Sequence, residues 1–345
     1  MSDYNYLNAR IKSLKKGLLP KGRLDELFSL SDFEGIKRFF LESPYGTSVG
    51  ESLAQHPGEL GVELGLSRQI HKTFQNILEW SDGGPRRLLE IFLRRYDLHN
   101  IKTLLRGKNG KLPAEVIFES LIPVGSFGFE ELSELSKQPS LRETLMLLSN
   151  WHESLKRPLR RSLGSLKGDP VALQSVEAGL DHYYYEGILT SLAEEKGEDA
   201  ALVKKYMQIE VDTANILSLL RLSELSRGEL SKFLIDGGFL GKGFLFSIAG
   251  NLKPMEVMQK FEFTYLSRVV KSWNPEGGLT DLERRFETFL LHEAERMERA
   301  DPLSIGVALS YFALLSHELK KLRIILHGKF FSVSETRLRE EFLLV

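Results

Sequence analysis

The stretch DTANILSLLR spans residues 212–221 and joins a polar start to a run of apolar side chains. Positions i, i+3, i+4, i+7 and i+8, from Asp212 to Leu220, lie on one face of an α-helix. The same pattern returns as DLHNIKTLLR at 97–106 and as ELKKLRIILH at 318–327. The chain therefore carries three copies of one helical motif.

A second motif repeats in step with the first. VELGL at 62–66 resembles VEAGL at 176–180, and LERRF at 282–286 is a weaker third copy. Its glutamate precedes the acidic residue of the first motif by 34, 35 and 35 residues (63 to 97, 177 to 212, 283 to 318). Two markers that keep their separation through three copies indicate one fold unit repeated three times.

Helical periodicity dominates the chain, and alternating strand patterns between hairpin turns are scarce. The 34–35 residues between the two markers fit a helical hairpin with helices of about 15 residues. IPVG at 122–125 and IDGG at 235–238 each follow a polar motif and precede a new helical stretch. We predict an all-α protein built from one helical unit repeated three times. Their boundaries are 1–121, 122–234 and 235–345.

Composition favours a soluble, cytoplasmic, globular chain. Lys+Arg (46) and Asp+Glu (47) nearly cancel, so bulk charge does not indicate a nucleic-acid-binding protein. The absence of cysteine excludes disulfides, thiolate metal sites and cysteine nucleophiles. The most apolar stretch, residues 303–315, is too short to span a membrane. We expect it to lie in a core helix that starts with Asp301 as the N-cap and Pro302 in the first turn.

Three fragments imitate catalytic motifs, and each lacks a requirement. GTSVG at 46–50 matches a hydrolase elbow, but it follows a helical pattern instead of a strand, so we expect a loop. GGFLGKG at 237–243 lacks the first glycine and the Ser/Thr of a phosphate-binding loop. HEAER at 292–296 has Arg296 where a zinc protease needs its second histidine. We predict no catalytic residue, no metal and no cofactor.

The polar members of the repeated motif need an explanation of their own. They lie beside the apolar face, so a buried polar pair that fixes helix register is the simplest interpretation. A reactive site is not expected three times over. The third copy departs from the first two at two positions, with lysine in place of asparagine and histidine in place of arginine. The motif residues are Asp97, Asn100, Arg106, Asp212, Asn215, Arg221, Glu318, Lys321 and His327.

Two basic runs carry no acidic residue. The run from Arg10 to Arg23 holds six cationic residues, and the run from Lys156 to Lys167 holds five. Such runs are usually solvated faces. The alternative is a docking surface for an acidic partner or for lipid headgroups, where each cation adds about 1 kcal/mol. The candidate interaction residues are Arg10, Lys12, Lys15, Lys16, Arg157, Arg160 and Arg161.

Several stretches together resemble the C subunit of the V/A-type ATPases, called the d subunit in eukaryotic vacuolar enzymes. They are YNYLNARIK at 4–12, the pattern E-x-x-L-D-x-Y-Y at 177–184, and DPLSIG at 301–306 followed by ELKKLRII at 318–325 and GK at 328–329. The resemblance covers the whole chain, including its length and its threefold repeat. The order and spacing of these stretches support the resemblance more strongly than any single motif does.

The resemblance implies an all-helical, funnel-shaped socket of three pseudo-threefold-related units, without catalytic activity of its own. In that family the protein lies on the cytoplasmic face, peripheral to the membrane and without a transmembrane span. It caps the rotor ring of proteolipid subunits, receives the central shaft made of the D and F subunits, and transmits torque for ion transport or ATP synthesis. The alternative from another class is a soluble helical-repeat adaptor that binds protein partners in a concave groove. The third, an enzyme with an unrecognised site, would need a cluster of titratable groups with shifted pKa values.

Overall fold

A computed structural model describes residues 4–30, 32–152, 155–156, 159, 170–248, 253–336 and 338–339. Within these ranges the chain forms α-helices and one short 3₁₀ helix, and no strand. The all-α prediction is confirmed. None of the helices described combines the length and the apolar character that a membrane span requires.

The α-helices of the described residues are numbered in chain order. Their bounds are α1 Asn5–Lys15, α2 Lys21–Ser29, α3 Phe33–Leu41, α4 Gly46–Gln55, α5 Glu59–Glu79, α6 Gly83–Asn109, α7 Ala114–Glu119, α8 Phe129–Lys137, α9 Leu141–Trp151, α10 Pro170–Glu194, α11 Glu198–Arg221, α12 Arg227–Leu230, α13 Lys242–Ile248, α14 Pro254–Gln259, α15 Ser267–Ser272, α16 Gly278–Ala300 and α17 Gly306–Phe330.

Three pairs of long helices form the framework, and each pair contains one copy of both sequence markers. Hairpin 1 is α5 and α6, hairpin 2 is α10 and α11, and hairpin 3 is α16 and α17. The glutamate of the second motif lies on the first helix of each pair, and the acidic residue of the first motif lies on the second helix. The helices have 21 to 27 residues, longer than predicted, because they continue beyond the markers.

The hairpins contact one another in a closed cycle. Helix α6 packs against α10, α11 packs against α16, and α17 packs against α5. We call these contacts interface 1, interface 2 and interface 3. In an open array of helical repeats the first and last repeats do not meet, whereas here the last hairpin lies against the first.

An aromatic cluster joins the three hairpins in the core. The ring of Phe312 on α17 stacks on Phe74 of α5 at 4.6 Å and on Phe92 of α6 at 5.9 Å. Phe92 also makes an edge-to-face contact with Tyr206 of α11 at 5.4 Å. Phe312 is fully buried. One side chain therefore contacts hairpin 1 directly and hairpin 2 through one intermediate ring.

Two local expectations were wrong. Asp301 does not cap the last helix, because residues 301–305 form a separate turn and α17 begins at Gly306. The Asp301 carboxylate instead accepts a hydrogen bond from the backbone N–H of Leu303. GTSVG at 46–50 is the first turn of α4, not a loop, and Ser48 is buried there against Gln69.

Truncating Phe312 tests how far the hairpins depend on this cluster. Phe312→Ala leaves a cavity at the contact between three hairpins, and we expect it to lower the free energy of unfolding by about 3–5 kcal/mol. Urea unfolding monitored by circular dichroism measures the loss. Phe331→Ala removes an aromatic ring that is 76% exposed and serves as the matched control. Equal midpoints for the two variants would contradict the central role of Phe312.

Candidate functional site

The asparagine of the repeated motif holds the segment that follows its helix. Asn100 donates from Nδ2 to the carbonyl of Ile122 at 2.6 Å and accepts from the N–H of Ile122 at 2.8 Å. Asn215 makes the same pair of bonds to Ile235, at 2.9 and 2.7 Å. Both asparagines are fully buried. Each asparagine side chain therefore hydrogen-bonds both backbone groups of one isoleucine, as a neighbouring strand would do in a sheet. That isoleucine is the first residue of the segment that follows.

The aspartate of the motif holds the same segment a few residues further on. Asp97 accepts a hydrogen bond from the N–H of Ser126 at 2.8 Å and a longer one, 3.4 Å, from the N–H of Phe127. Asp212 accepts from the N–H groups of Phe239 and Leu240 at 2.9 and 3.1 Å. The two copies thus make the same interaction, in which a buried carboxylate accepts hydrogen bonds from two consecutive backbone N–H groups of the next segment.

Glycines allow the backbone to approach these carboxylates. A β-carbon on Gly125 would collide with Oδ1 of Asp97, and one on Gly238 would collide with Oδ1 of Asp212. Gly125 also has φ of +99°, a conformation that residues with a side chain rarely adopt. Both positions therefore exclude every other residue type while the contact is intact.

The third copy makes the corresponding contact with the N-terminal part of the chain. Glu318 accepts from the N–H of Leu19 at 2.7 Å and from the Tyr45 hydroxyl at 2.6 Å. The Tyr265 hydroxyl donates likewise to Asp212 at 2.7 Å. Lys321, which stands where the other copies have asparagine, is half-buried, and burial lowers its pKa. Sequence reasoning did not single out either tyrosine, because they lie outside the repeated stretches.

Burial dominates the titration of these carboxylates. It raises the pKa of Asp97 and of Asp212 to about 6, although the hydrogen bonds from Ser126 and from Tyr265 and Leu240 act in the opposite direction. Burial also raises the pKa of Glu318. These carboxyl groups position the backbone of another segment, and their burial costs desolvation free energy.

Ion pairs connect the hairpins at interface 1. The guanidinium of Arg106 on α6 binds Glu177 of α10 through two parallel bonds, at 2.7 Å (Nε to Oε1) and 2.6 Å (Nη2 to Oε2). Lys102 binds Asp181 one turn away, at 2.5 and 2.7 Å. Bidentate arginine–carboxylate pairs fix orientation as well as distance.

Interfaces 2 and 3 place the same markers together. Arg221 of α11 pairs with Glu283 of α16 at interface 2. At interface 3 the Nε of Arg323 lies 3.0 Å from Oε2 of Glu63, and His327 occupies the sequence position of Arg106 and Arg221. Each glutamate marker therefore meets a cation from the preceding hairpin, not from its own. The repeat pattern identified these residues and their spacing but did not indicate that they pair between copies.

A cavity of ≈ 420 Å³ lies where the hairpins converge. Its wall includes residues of α6, α10, α11, α16 and α17, among them Tyr96, Lys102, Ala214, Leu290 and Ala313. The volume is within the range of ligand and partner pockets. All three hairpins thus contribute to the wall of one shared, partly open cavity.

The charges in the cavity wall are largely paired. Arg95 binds Glu210 at 2.6 Å and Lys320 binds Glu287 at 2.5 Å. Burial lowers the pKa of His99 and of His317 to about 4, with nearby lysines adding to the decrease. Both imidazoles are therefore neutral at pH 7. Among the residues described, no cluster of His, Asp and Glu has the composition to hold a metal ion.

Several cations of the first basic run make contacts within the protein, so the run is only in part free to contact a partner. Lys15 pairs with Glu298 at 2.6 Å, Lys12 donates to the carbonyl of Pro302 at 3.2 Å, and Arg10 lies over the Trp80 ring at 4.2 Å. The side chain of Lys16 is exposed. Helix α1 therefore uses some of its cations to attach to hairpins 1 and 3.

The second basic run lies mostly outside the described residues. That includes the candidate interaction residues Arg157, Arg160 and Arg161. Their proposed role stays a prediction.

These contacts define a class of protein. It is an all-helical scaffold whose three hairpins are joined by repeated polar contacts and line a shared cavity. The sequence profile of the ATP synthase (C/AC39) subunit family matches residues 7–341. The chain belongs to this family, as the sequence resemblance predicted. It is a structural subunit of an ATP synthase, not the catalytic one.

Curated relatives cover the whole chain. The chain is similar to the A-type ATP synthase C subunit of Methanosarcina barkeri, with 29% identity over 100% of this chain and 94% of the relative. The protein of the same name from Methanosarcina mazei is 27% identical over the same shares. That of Haloquadratum walsbyi is 24% identical over 99% of each chain.

Replacing Asp212 tests the cost of its burial. Its pKa of about 6 exceeds the unfolded value of 3.8, so the folded state holds the proton more tightly. The carboxyl therefore stabilises the fold fully below about pH 4, and this contribution is lost as the pH rises through about 6. In Asp212→Asn this pH dependence, on the order of 2–3 kcal/mol, should be missing.

Urea midpoints of parent and variant between about pH 4 and pH 7 measure the effect. The amide places N–H groups against backbone donors, so a constant loss of stability is also expected, and the slope is the informative quantity. Asp236→Asn removes an exposed carboxylate from the same segment and controls for the change in net charge. Parallel curves for parent and Asp212→Asn would show that Asp212 does not titrate in this range.

Proposed function

We propose that this chain is the component of an A-type rotary ATPase that links the central shaft to the rotor ring. The chain would consist of three units, 1–121, 122–234 and 235–345, arranged as a funnel-shaped socket. The socket would sit on the proteolipid ring at the cytoplasmic face of the membrane and receive the D and F subunits of the shaft. It would transmit torque during ion transport or ATP synthesis without catalysing a reaction.

The observation that carries this proposal is the closed cycle of hairpins around the shared cavity. A coupling that turns with a shaft must resist shear in every direction around the axis. A cycle in which each hairpin is bonded to both others by charged side chains meets that requirement, since no end of the array is unsupported. An open helical-repeat adaptor would leave its first and last repeats apart.

The names of the relatives support the assignment to the A-type complex. The residue composition of the cavity supports a protein partner. Its wall contains apolar residues such as Leu290 and Leu291 together with paired charges such as Arg95 and Glu210. A wall of this kind suits a partner surface that carries both apolar and polar groups.

Filling the cavity tests whether it receives the shaft. Ala313→Trp places an indole in a wall that all hairpins share, and we expect the D and F subunits to be lost from the complex while the ring is retained. Affinity purification from solubilised membranes, followed by identification of the bound proteins, is the measurement. Ala54→Trp, at an exposed alanine of α4, is the matched control. Retention of the shaft by the Ala313 variant would exclude the cavity as its seat.

Charge reversal tests the basic runs. Arg10, Lys12 and Lys16 are changed to glutamate, with Lys15 kept because it pairs with Glu298. A second variant changes Arg157, Arg160 and Arg161. If either run faces acidic groups of the ring, shaft or headgroup layer, its reversal should slow assembly about tenfold at low ionic strength.

The control reverses three other exposed lysines: Lys253, Lys260 and Lys271. It changes net charge by the same amount at a different surface. If both test variants assemble at the parent's rate across the salt range, the basic runs are solvated faces and take no part in docking.

A further inference from the structure

Interface 3 differs chemically from the other two hairpin interfaces. Interfaces 1 and 2 each use an arginine nine residues after the acidic residue of the motif, Arg106 and Arg221. Interface 3 has His327 at that position. An arginine stays charged at every physiological pH, whereas a histidine changes charge within the physiological range.

Carboxylate oxygens lie close to both ring nitrogens of His327. Its Nδ1 lies 2.9 Å from Oε1 of Glu59, and its Nε2 lies 3.4 Å from Oε1 of Glu63. Both ring nitrogens thus face carboxylate oxygens, and only the imidazolium can donate from both. In the neutral ring one nitrogen would present its lone pair to a carboxylate.

The carboxylate of Glu63 depends on this proton. Glu63 is completely buried, and Arg323 occupies its other oxygen, Oε2. In the part of the chain that the structure describes, Oε1 has no hydrogen-bond partner of normal length. His327 is therefore the cation that is positioned to compensate it, and loss of the proton would leave a buried charge half-compensated.

The other groups around this joint add negative charge. Glu59 and Glu63 come from α5, Glu119 from α7, and Arg323 is the permanent cation that α17 places against them. Lys320, one turn earlier on α17, is paired with Glu287 of α16. Burial raises the pKa of Glu59 and of Glu119, and the charge of Glu63 adds to the increase for both.

The raised pKa values of Glu59 and Glu119 give interface 3 a dependence on pH. A group whose folded pKa is raised stabilises the folded contact below its unfolded value and loses that contribution as the pH rises through the folded value. Acidification therefore strengthens interface 3. Interface 1 offers Arg106 and Lys102 against Glu177 and Asp181, so its charges balance without a histidine.

We propose that interface 3 is the adjustable joint of the hairpin cycle, closed when His327 is protonated and loosened when the proton is lost, while interfaces 1 and 2 stay closed. Loosening moves α17 relative to α5. It therefore changes the shape of the shared cavity, whose wall α17 helps to form. Proton concentration would then set how tightly the framework encloses what it binds.

The chain contains no cysteine, so spin labels can be placed at will. His56→Cys with Ser332→Cys spans interface 3, and Asn109→Cys with Gln174→Cys spans interface 1; all four positions are exposed. Distances are measured in the isolated full-length chain by double electron–electron resonance. Between about pH 5 and pH 8 we expect the fraction of molecules with a long label-to-label distance across interface 3 to rise about tenfold. The distances across interface 1 should not change.

Substitutions at two equivalent positions make the test specific. His327→Arg restores the residue of the other interfaces and should keep interface 3 closed at every pH. His327→Gln should leave interface 3 looser than in the parent at pH 5. Arg106→His places a titratable group at interface 1 and should give that interface a pH dependence of its own.

The proposal is overturned if the interface 3 distances are the same at both pH values, if interface 1 changes equally, or if His327→Arg keeps the parent's response. Because no partner is present, the result does not depend on whether the chain binds a ring or a shaft.

Discussion

The fold depends on buried carboxylates that bind backbone N–H groups of another segment. Asp97 and Asp212 each hold two consecutive donors, and Glu318 holds Leu19 together with the Tyr45 hydroxyl. Helices leave no spare backbone donors except at their ends, so a segment that follows a helix needs partners from elsewhere. These acidic side chains supply them, and they thereby determine where each new segment starts relative to the hairpin before it.

Much of the framework could be predicted from the sequence because it rests on periodicity. Helical spacing predicted the all-α fold, and the constant marker separation located Glu63, Glu177 and Glu283 on helices that precede those of the acidic residues. What could not be predicted is the pairing of Glu177 with Arg106 and of Glu283 with Arg221. A repeat in sequence is the same whether its members contact each other within a copy or between copies.

Local predictions failed where a side chain had more than one option. Asp301 can cap a helix or bind the N–H two residues ahead, and the second option prevailed because α17 begins after a further turn. The roles of Tyr45 and Tyr265 were missed because each acts on a carboxylate more than fifty residues away. Arg323 was missed for another reason: it has no counterpart among the aligned arginines of the first two copies, whose position is held by His327.

The reciprocal junctions also bear on what counts as a domain here. Hairpins 1 and 2 provide the acceptors for the segments that follow them, and hairpin 3 provides one for Leu19 near the start of the chain. A single copy cut out of the chain would expose an unused carboxylate at one end and unpaired backbone donors at the other. Each hairpin therefore depends on contacts outside itself, and we expect a hairpin to be less stable in isolation than within the whole chain.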